Sequence, residues 1–270
     1  MINNLAERET ASPLDAAVSQ RDGETLKMVS TAVRKGQVRL AYQPVMLARA
    51  PEQLAFFEGL IRVLDHTGRT IPARDFIDAV ETHEIGRQLD CLALQKGFDA
   101  LADQPDLRLS VNMSARSIGY RPWRQIFDQG MSRVPSAAGR LILEITEASA
   151  MVVPDLVQVF MVELAAKGIS FALDDFGAGV TSFRYLKTFE FDILKIDGQF
   201  TREIHSDPDN QVLVQALVAI ADHFDMDTVA EAVETARDAA FLTAIGVDCL
   251  QGYHLGAPKL TPDWSITSAS

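Results

Sequence analysis

From about residue 38 onward, short apolar runs alternate with longer segments whose apolar positions recur every three or four residues. The short runs are VRLAYQPVML, LAFFEGLIRVL, LRLSVNM, RLILEIT, SFALDD, FDILKID, DTVAEAV and CLQGY. Their length and their β-branched and aromatic content predict strands. The segments ARDFIDAVETHE, GRQLDCLALQKGFDALAD, PWRQIFDQGMSRV, DLVQVFMVELAAKG, DNQVLVQALVAIADHF and ARDAAFLTAIG predict helices. Repeated strand–helix units require a parallel sheet covered by helices. With this many strands in one chain, a closed α/β barrel of the TIM type, (β/α)8, is favoured over an open sheet. Only a short loop joins the first two runs. The first strand is therefore expected to run antiparallel to the second, since a parallel pair needs a long crossover. Pro44 is expected to close the first run or to bring it to an edge.

Upstream, GETLKMVSTAVRKGQV places Leu26, Val29 and Val33 on one helical face, with Gly36 as the stop. Residues 1–22 are polar and without a period, and are expected to form a flexible arm. The barrel domain is expected over residues 23–262 and a tail over residues 263–270.

Composition narrows the partners. The chain has 270 residues, a hydrophobic fraction of 47% and a formal charge of −12. That length and core content suit one large domain. The negative charge argues against a nucleic-acid polymer or an anionic membrane surface as a nonspecific partner. It leaves room for a phosphate ligand held through cations. Cys91 and Cys249 are far apart and form no ligand pair, so reduced core thiols in a cytoplasmic protein are expected. The N-terminal stretch lacks the pattern of a signal peptide. No apolar run reaches the roughly 20 residues of a membrane span.

The candidate chemistry gathers at one end of the strands. Glu58, Asn112, Glu144, the pair Asp174 and Asp175, Lys195, Glu231 and Gln251 each stand at or near the end of a run, with Glu147, Asp197 and Glu234 just beyond. In a barrel those ends share the face that carries active sites. A single carboxylate there is most simply a helix cap or a loop acceptor, and Glu147 and Glu234 suit that reading. A cluster of carboxylates with an Asn is different, because it repels itself in a cleft unless cations are present. All-oxygen donors suit Mg2+ or Mn2+. The five histidines are scattered without ligand spacing, which argues against zinc. Shared Asp carboxylates can bridge two metals in phosphoester chemistry. Lys195 has a plain alternative role as a salt-bridge partner of these acids.

These residues fall in segments that together resemble the EAL domain family of cyclic di-GMP phosphodiesterases: YQPV, EGLIR, SVNMS, EITE, DDFGAG, LKID, AEAVE and QGYHLGAP, in order from residue 42 to residue 258. The resemblance implies a barrel with an antiparallel first strand. It implies metal ligation by Glu58, Asn112, Glu144, Asp174, Asp175 and Glu231, with Asp174 bridging two ions, Mg2+ or Mn2+, and with Ca2+ inhibitory. It implies catalytic roles for Glu231, Lys195 and Glu58, the lysine contacting the attacking water. Substrate contacts fall to Gln43 and Arg62, with Gln251 supporting the site. Glu147 anchors the loop after Asp175, which the family uses for homodimerisation. The implied reaction is hydrolysis of cyclic di-GMP to linear pGpG. A cyclic di-GMP receptor with little or no turnover is the alternative, and a scaffold used only for protein contacts is a more distant one. Four positions depart from the family pattern: Gly59 within Glu-Gly-Leu, Val63 in place of Trp, Ala178 in place of Thr and Ala232 in place of Gly.

Overall fold

The computed structural model describes residues 13–177 and 183–264. Its strands are β1 (Val38–Leu47), β2 (Ala50–Leu64), β3 (Thr70–Pro72), β4 (Leu109–Asn112), β5 (Leu141–Thr146), β6 (Ser170–Phe176), β7 (Ile193–Ile196), β8 (Asp227–Ala230) and β9 (Cys249–Leu250). Its helices are α1 (Pro13–Arg34), α2 (Ile77–Val80), α3 (Glu84–Asp103), α4 (Arg121–Arg133), α5 (Glu147–Ala150), α6 (Pro154–Ala165), α7 (Gly198–Thr201), α8 (Pro208–His223) and α9 (Ala236–Ala244). The sheet runs β1-β9-β8-β7-β6-β5-β4-β2, and β1 also pairs with β2, which closes an eight-stranded barrel. β3 adds to β2 outside the ring. β1 is antiparallel to both neighbours, and the other neighbouring barrel strands are parallel. The expected barrel and its antiparallel first strand are therefore both present.

Strand alternation explains where the polar residues point. Val45, Phe56, Ile142, Ala172, Ile193, Val229 and Cys249 pack together as an apolar cluster, one from each of seven barrel strands. Two residues further along each parallel strand, on the same face, come Glu58, Glu144, Asp174, Lys195, Glu231 and Gln251. On β1, which runs the other way, the matching residue lies two positions earlier and is Gln43. An apolar floor thus lies directly beneath a polar layer. A larger apolar cluster fills the space between barrel and helices, and a smaller one, including Val29, Val38, Val63 and Leu89, seats α1 and α3 beside β1 and β2.

Several sequence expectations are corrected. The arm was expected to reach residue 22, but α1 begins at Pro13. Its residues 17–22 are largely exposed, so this part of the helix continues the packed part around Val29 rather than packing itself. Gly36 ends the turn as expected, with φ +64 and a Gln37 N–H to Ala32 C=O hydrogen bond of 2.8 Å. Within the expected tail, Trp264 packs edge-on against Tyr42 and Phe57, at centroid distances of 5.0 and 5.4 Å. ARDFIDAVETHE does not form one helix. A 3-10 turn (Ala73–Asp75) and the single turn α2 divide it. Pro44 does not end β1. Tyr42 exchanges hydrogen bonds with Lys259 on the side away from β2, so by alternation the missing N–H of Pro44 points where β9 does not pair.

A carboxylate cage around Lys195 as candidate active site

A bulge sets the geometry. On β6, Leu173 pairs with Leu194 and Phe176 with Ile196, so Asp174 and Asp175 together oppose the single residue Lys195. A regular strand would send adjacent side chains to opposite faces. Here Asp175 takes φ +54, a left-handed conformation that Asp tolerates better than most residues, and both carboxylates stay near the barrel mouth. One oxygen each from Asp174, Asp175 and Glu231 lies within 4.8 Å of the others.

Lys195 is fully buried at the centre. Its Nζ lies 2.8 Å from Glu144 Oε2, Asp174 Oδ1 and Glu231 Oε1, and 3.3 Å from Glu58 Oε2. An ammonium has three hydrogens, and the aligned hydrogen bonds go to Glu144 and Glu58. Glu58 also accepts from Asn112 Nδ2 at 2.8 Å and from Gln251 Nε2 at 2.5 Å. Gln251 donates to Gln43 Oε1 at 3.3 Å, and Gln43 Nε2 is held by Gly256 C=O at 3.1 Å. Gly252 must be glycine for Gln251 to stand here, because a Cβ would lie 2.1 Å from Val233 O.

The electrostatics follow from burial and neighbours. Burial alone would push Lys195 down, but the attraction of Asp174, Glu144, Glu231 and Glu58 outweighs it and holds the ammonium well above its ordinary value. Burial pushes Glu231 up to about 8, against Lys195 and with help from Asp174 and Glu58. Burial and the adjacent Asp174 push Asp175 up to about 6. Glu144 is raised well above the carboxylate range by burial, then by Glu58. Glu58 is lowered, because Lys195, Gln251 and Asn112 together outweigh its burial.

The donor set fits a hard divalent cation. It is all oxygen. Glu144 Oε1 is buried without a hydrogen-bond partner, and Asp174 Oδ1 meets Lys195 off the line of a hydrogen bond. Four carboxylates, Glu58, Glu144, Asp174 and Glu231, surround one ammonium, and Asp175 stands beside Asp174 and Glu231, so the cluster has charge to spare for a cation.

The remaining sequence candidates are also placed. Arg62 is half-buried on the same face of β2 as Glu58 and Leu60. Glu147 opens α5, is buried, and its Oε2 accepts from the Gly177 N–H at 3.3 Å. It thus holds the start of the loop after Asp175. The later positions of that loop, among them Ala178 and Val180–Ser182, lie outside the described residues. Glu234 is exposed and stands 3.9 Å from Arg202 Nε. Gln43, Glu58, Glu231 and Gln251 line a cavity of about 560 Å3 at the barrel mouth. Its wall also carries Arg74, Arg202 and Tyr253, which the sequence pattern did not single out because they sit in turns without periodicity.

No helix among the described residues is long and apolar enough to cross a membrane.

A family model for the EAL domain matches residues 26–258. The chain is 29% identical over 242 residues to the cyclic di-GMP phosphodiesterase PdeB of Shewanella oneidensis, covering 86% of this chain and 28% of that protein. It is 30% identical over 249 residues to the bifunctional diguanylate cyclase/cyclic di-GMP phosphodiesterase MucR of Pseudomonas aeruginosa, covering 90% of this chain and 36% of that protein. It therefore spans well under half the length of either relative. Among solved structures, the MucR phosphodiesterase in complex with c-di-GMP is 31% identical with a TM-score of 0.76, over 87% of this chain and 97% of that one. The FimX EAL domain from Pseudomonas aeruginosa bound to c-di-GMP has a TM-score of 0.80 at 24% identity, over 91% of this chain and all of that one, a likeness of fold alone.

Proposed function

The chain belongs to the EAL domain family, and on that premise we propose that it is a metal-dependent phosphodiesterase that hydrolyses cyclic di-GMP to linear pGpG. The observation that carries this reading is the cage itself: four carboxylates converge on one buried ammonium at the mouth of a barrel, with Asp175 beside two of them and a cavity large enough for a small ligand next to it.

Asp174, Asp175 and Glu231, with Glu58, Asn112 and Glu144, would hold a pair of Mg2+ or Mn2+ ions. When bound, such ions supply positive charge to the phosphate and make water more acidic. The chain's own residues do the rest. Glu231, 2.8 Å from Lys195 and lining the cavity, is the carboxylate placed to take a proton from the attacking water. The water oxygen bonds to phosphorus, the P–O3′ bond breaks, and the departing O3′ takes up a proton. Lys195 is fixed by its carboxylate partners, so it presents a preorganised cation where negative charge grows on the phosphate. Glu58 is held in place by Asn112 and Gln251. Gln43 and Arg62 contact the substrate, and Glu147 holds the loop entrance at Gly177.

The test pairs turnover with binding. Purified protein is given cyclic di-GMP with Mg2+ or Mn2+, and binding is measured in parallel in Ca2+. Formation of pGpG only with Mg2+ or Mn2+ supports the phosphodiesterase. Tight binding without product under every metal condition would replace it with a receptor.

A further inference from the structure

The cage accounts for one phosphate of a cyclic dinucleotide, and the substrate carries two. The second must lie further out in the cavity, whose lining includes the acids Glu58, Asp197, Glu231 and Glu234. Among the described residues of that lining, the cationic side chains are Arg74 and Arg202. Arg202 is turned toward Glu234, at 3.9 Å.

Arg74 is placed differently. The register of β2 against β3 sets Arg62 opposite Pro72, and the 3-10 turn (Ala73–Asp75) follows at once. Arg74 therefore stands at the rim next to Arg62. Alternation along β2 puts Glu58, Leu60 and Arg62 on one face, leading outward from the cage. The two guanidinium groups feel each other. Burial and then Arg74 push Arg62 below its ordinary value, while Glu58, Tyr253 and Asp75 oppose that shift. The ion pair that Arg74 makes is with Asp75, at 3.7 Å, between side chains that are 76% and 55% exposed. Such a pair is worth little and is readily exchanged for a ligand.

We propose that Arg74, together with Arg62, binds the phosphate that is not being cleaved, and so makes the site select a two-phosphate cyclic dinucleotide over a single phosphodiester. Two like charges side by side, in a chain of net charge −12, are reconciled by an anion between them, whereas a neutral base edge would leave their repulsion in place. A guanidinium matches phosphate oxygens with paired N–H donors. The inference rests on the phosphodiesterase reading of the same site.

The experiment compares wild type, Arg74→Gln and Arg74→Lys on cyclic di-GMP and on bis(p-nitrophenyl) phosphate, a diester with one phosphate. Arg74→Gln is expected to raise KM for cyclic di-GMP about tenfold, the loss of about 1.4 kcal/mol of binding, with kcat little changed. The preference for cyclic di-GMP over the simple diester, as a ratio of kcat/KM values, should fall by the same factor. Arg74→Lys should recover a substantial part, since it keeps the charge. A KM within twofold of wild type for Arg74→Gln overturns the inference and leaves the phosphodiesterase reading standing. A lysine variant no better than the glutamine variant overturns the phosphate assignment in favour of a base-edge contact. Wild type inactive with every metal defeats the reading of the reaction. The Kd of cyclic di-GMP by calorimetry then decides on Arg74 alone, with an unchanged Kd in Arg74→Gln, or no binding by wild type, overturning it.

Discussion

Asp174 and Lys195 face each other across the bulge between β6 and β7, with Oδ1 and Nζ 2.8 Å apart. Both are buried, and the contact joins a carboxylate that would hold metal to the cation at the centre of the cage. Asp174→Asn keeps the shape and removes the charge. The loss of a ligand exceeds the 10–100-fold cost usual for outer-shell partners, so kcat is expected to fall by more than about a hundredfold. A wild-type protein that binds Mg2+ or Mn2+ melts at higher temperature in their presence. That shift should vanish in Asp174→Asn and shrink in Asp175→Asn. A wild-type melting shift in Asp174→Asn would remove it from the metal site.

Lys195 pairs with four carboxylates, and the proposed mechanism gives it a catalytic role besides this structural one. Lys195→Met leaves Glu58, Glu144, Asp174 and Glu231 without their shared counter-charge, and removing one partner of a buried pair costs about 3–5 kcal/mol. Raised carboxylate pKa values, such as that of Glu231, soften this cost by protonation. The metal-free variant should melt well below wild type, and divalent metal should restore much of the difference. Turnover should stay down by about a hundredfold or more even when stability is restored. Normal kcat in the metal-loaded Lys195→Met protein would assign the lysine to structure alone.

Asp90 lies away from the cage and gives a clean pH prediction. Its Oδ2 accepts from the Ser114 N–H at 3.0 Å and from Ser117 Oγ at 2.5 Å. Burial outweighs these bonds and raises it from 3.8 to about 7. The folded state therefore binds the proton more tightly than the unfolded one. The stabilisation this provides is present below pH 3.8 and is lost as pH rises toward about 7. Asp90→Asn mimics the neutral form, so it should be more stable than wild type at pH 8 and about equal at pH 4. Denaturant melts at the two pH values check this, and equal differences at both would contradict it.

Ala232 sits at φ +50, where an L-residue costs about 1–2 kcal/mol. The family resemblance places Gly there, and the backbone shows why. Ala232→Gly should relieve the strain, less the roughly 0.4–1 kcal/mol that glycine adds to unfolded-state freedom. A rise in Tm of about 2 °C is expected. Gly198 lies against the same methyl, since a Cβ there would meet Ala232 Cβ at 2.7 Å. Gly198→Ala should be harmful alone and milder in combination with Ala232→Gly.

Much of this arrangement is legible from periodicity. Glu58, Glu144, Lys195, Glu231 and Gln251 each follow an apolar floor residue by two positions, and alternation then forces them to one face. What periodicity does not reveal is the exception to it. Two adjacent aspartates would diverge in a regular strand, and only the bulge opposite Lys195 brings Asp174 and Asp175 together. Arg74 escapes for a related reason, because its position comes from strand register and a 3-10 turn rather than from a repeating pattern. The packing of Trp264 likewise depends on contacts between distant parts of the chain, whereas the early residues of α1 only extend a helix packed around Val29.

The proposed hydrolysis requires this cage to direct water onto a phosphate of cyclic di-GMP. It is tested most directly by turnover in 18O-labelled water with Mn2+ or Mg2+, followed by mass spectrometry of the product. The expected product is pGpG carrying one solvent oxygen on its terminal phosphate, formed with divalent metal and lost on chelation. Cyclic di-GMP left intact across all metals tested, or product whose terminal phosphate lacks the label, would contradict it.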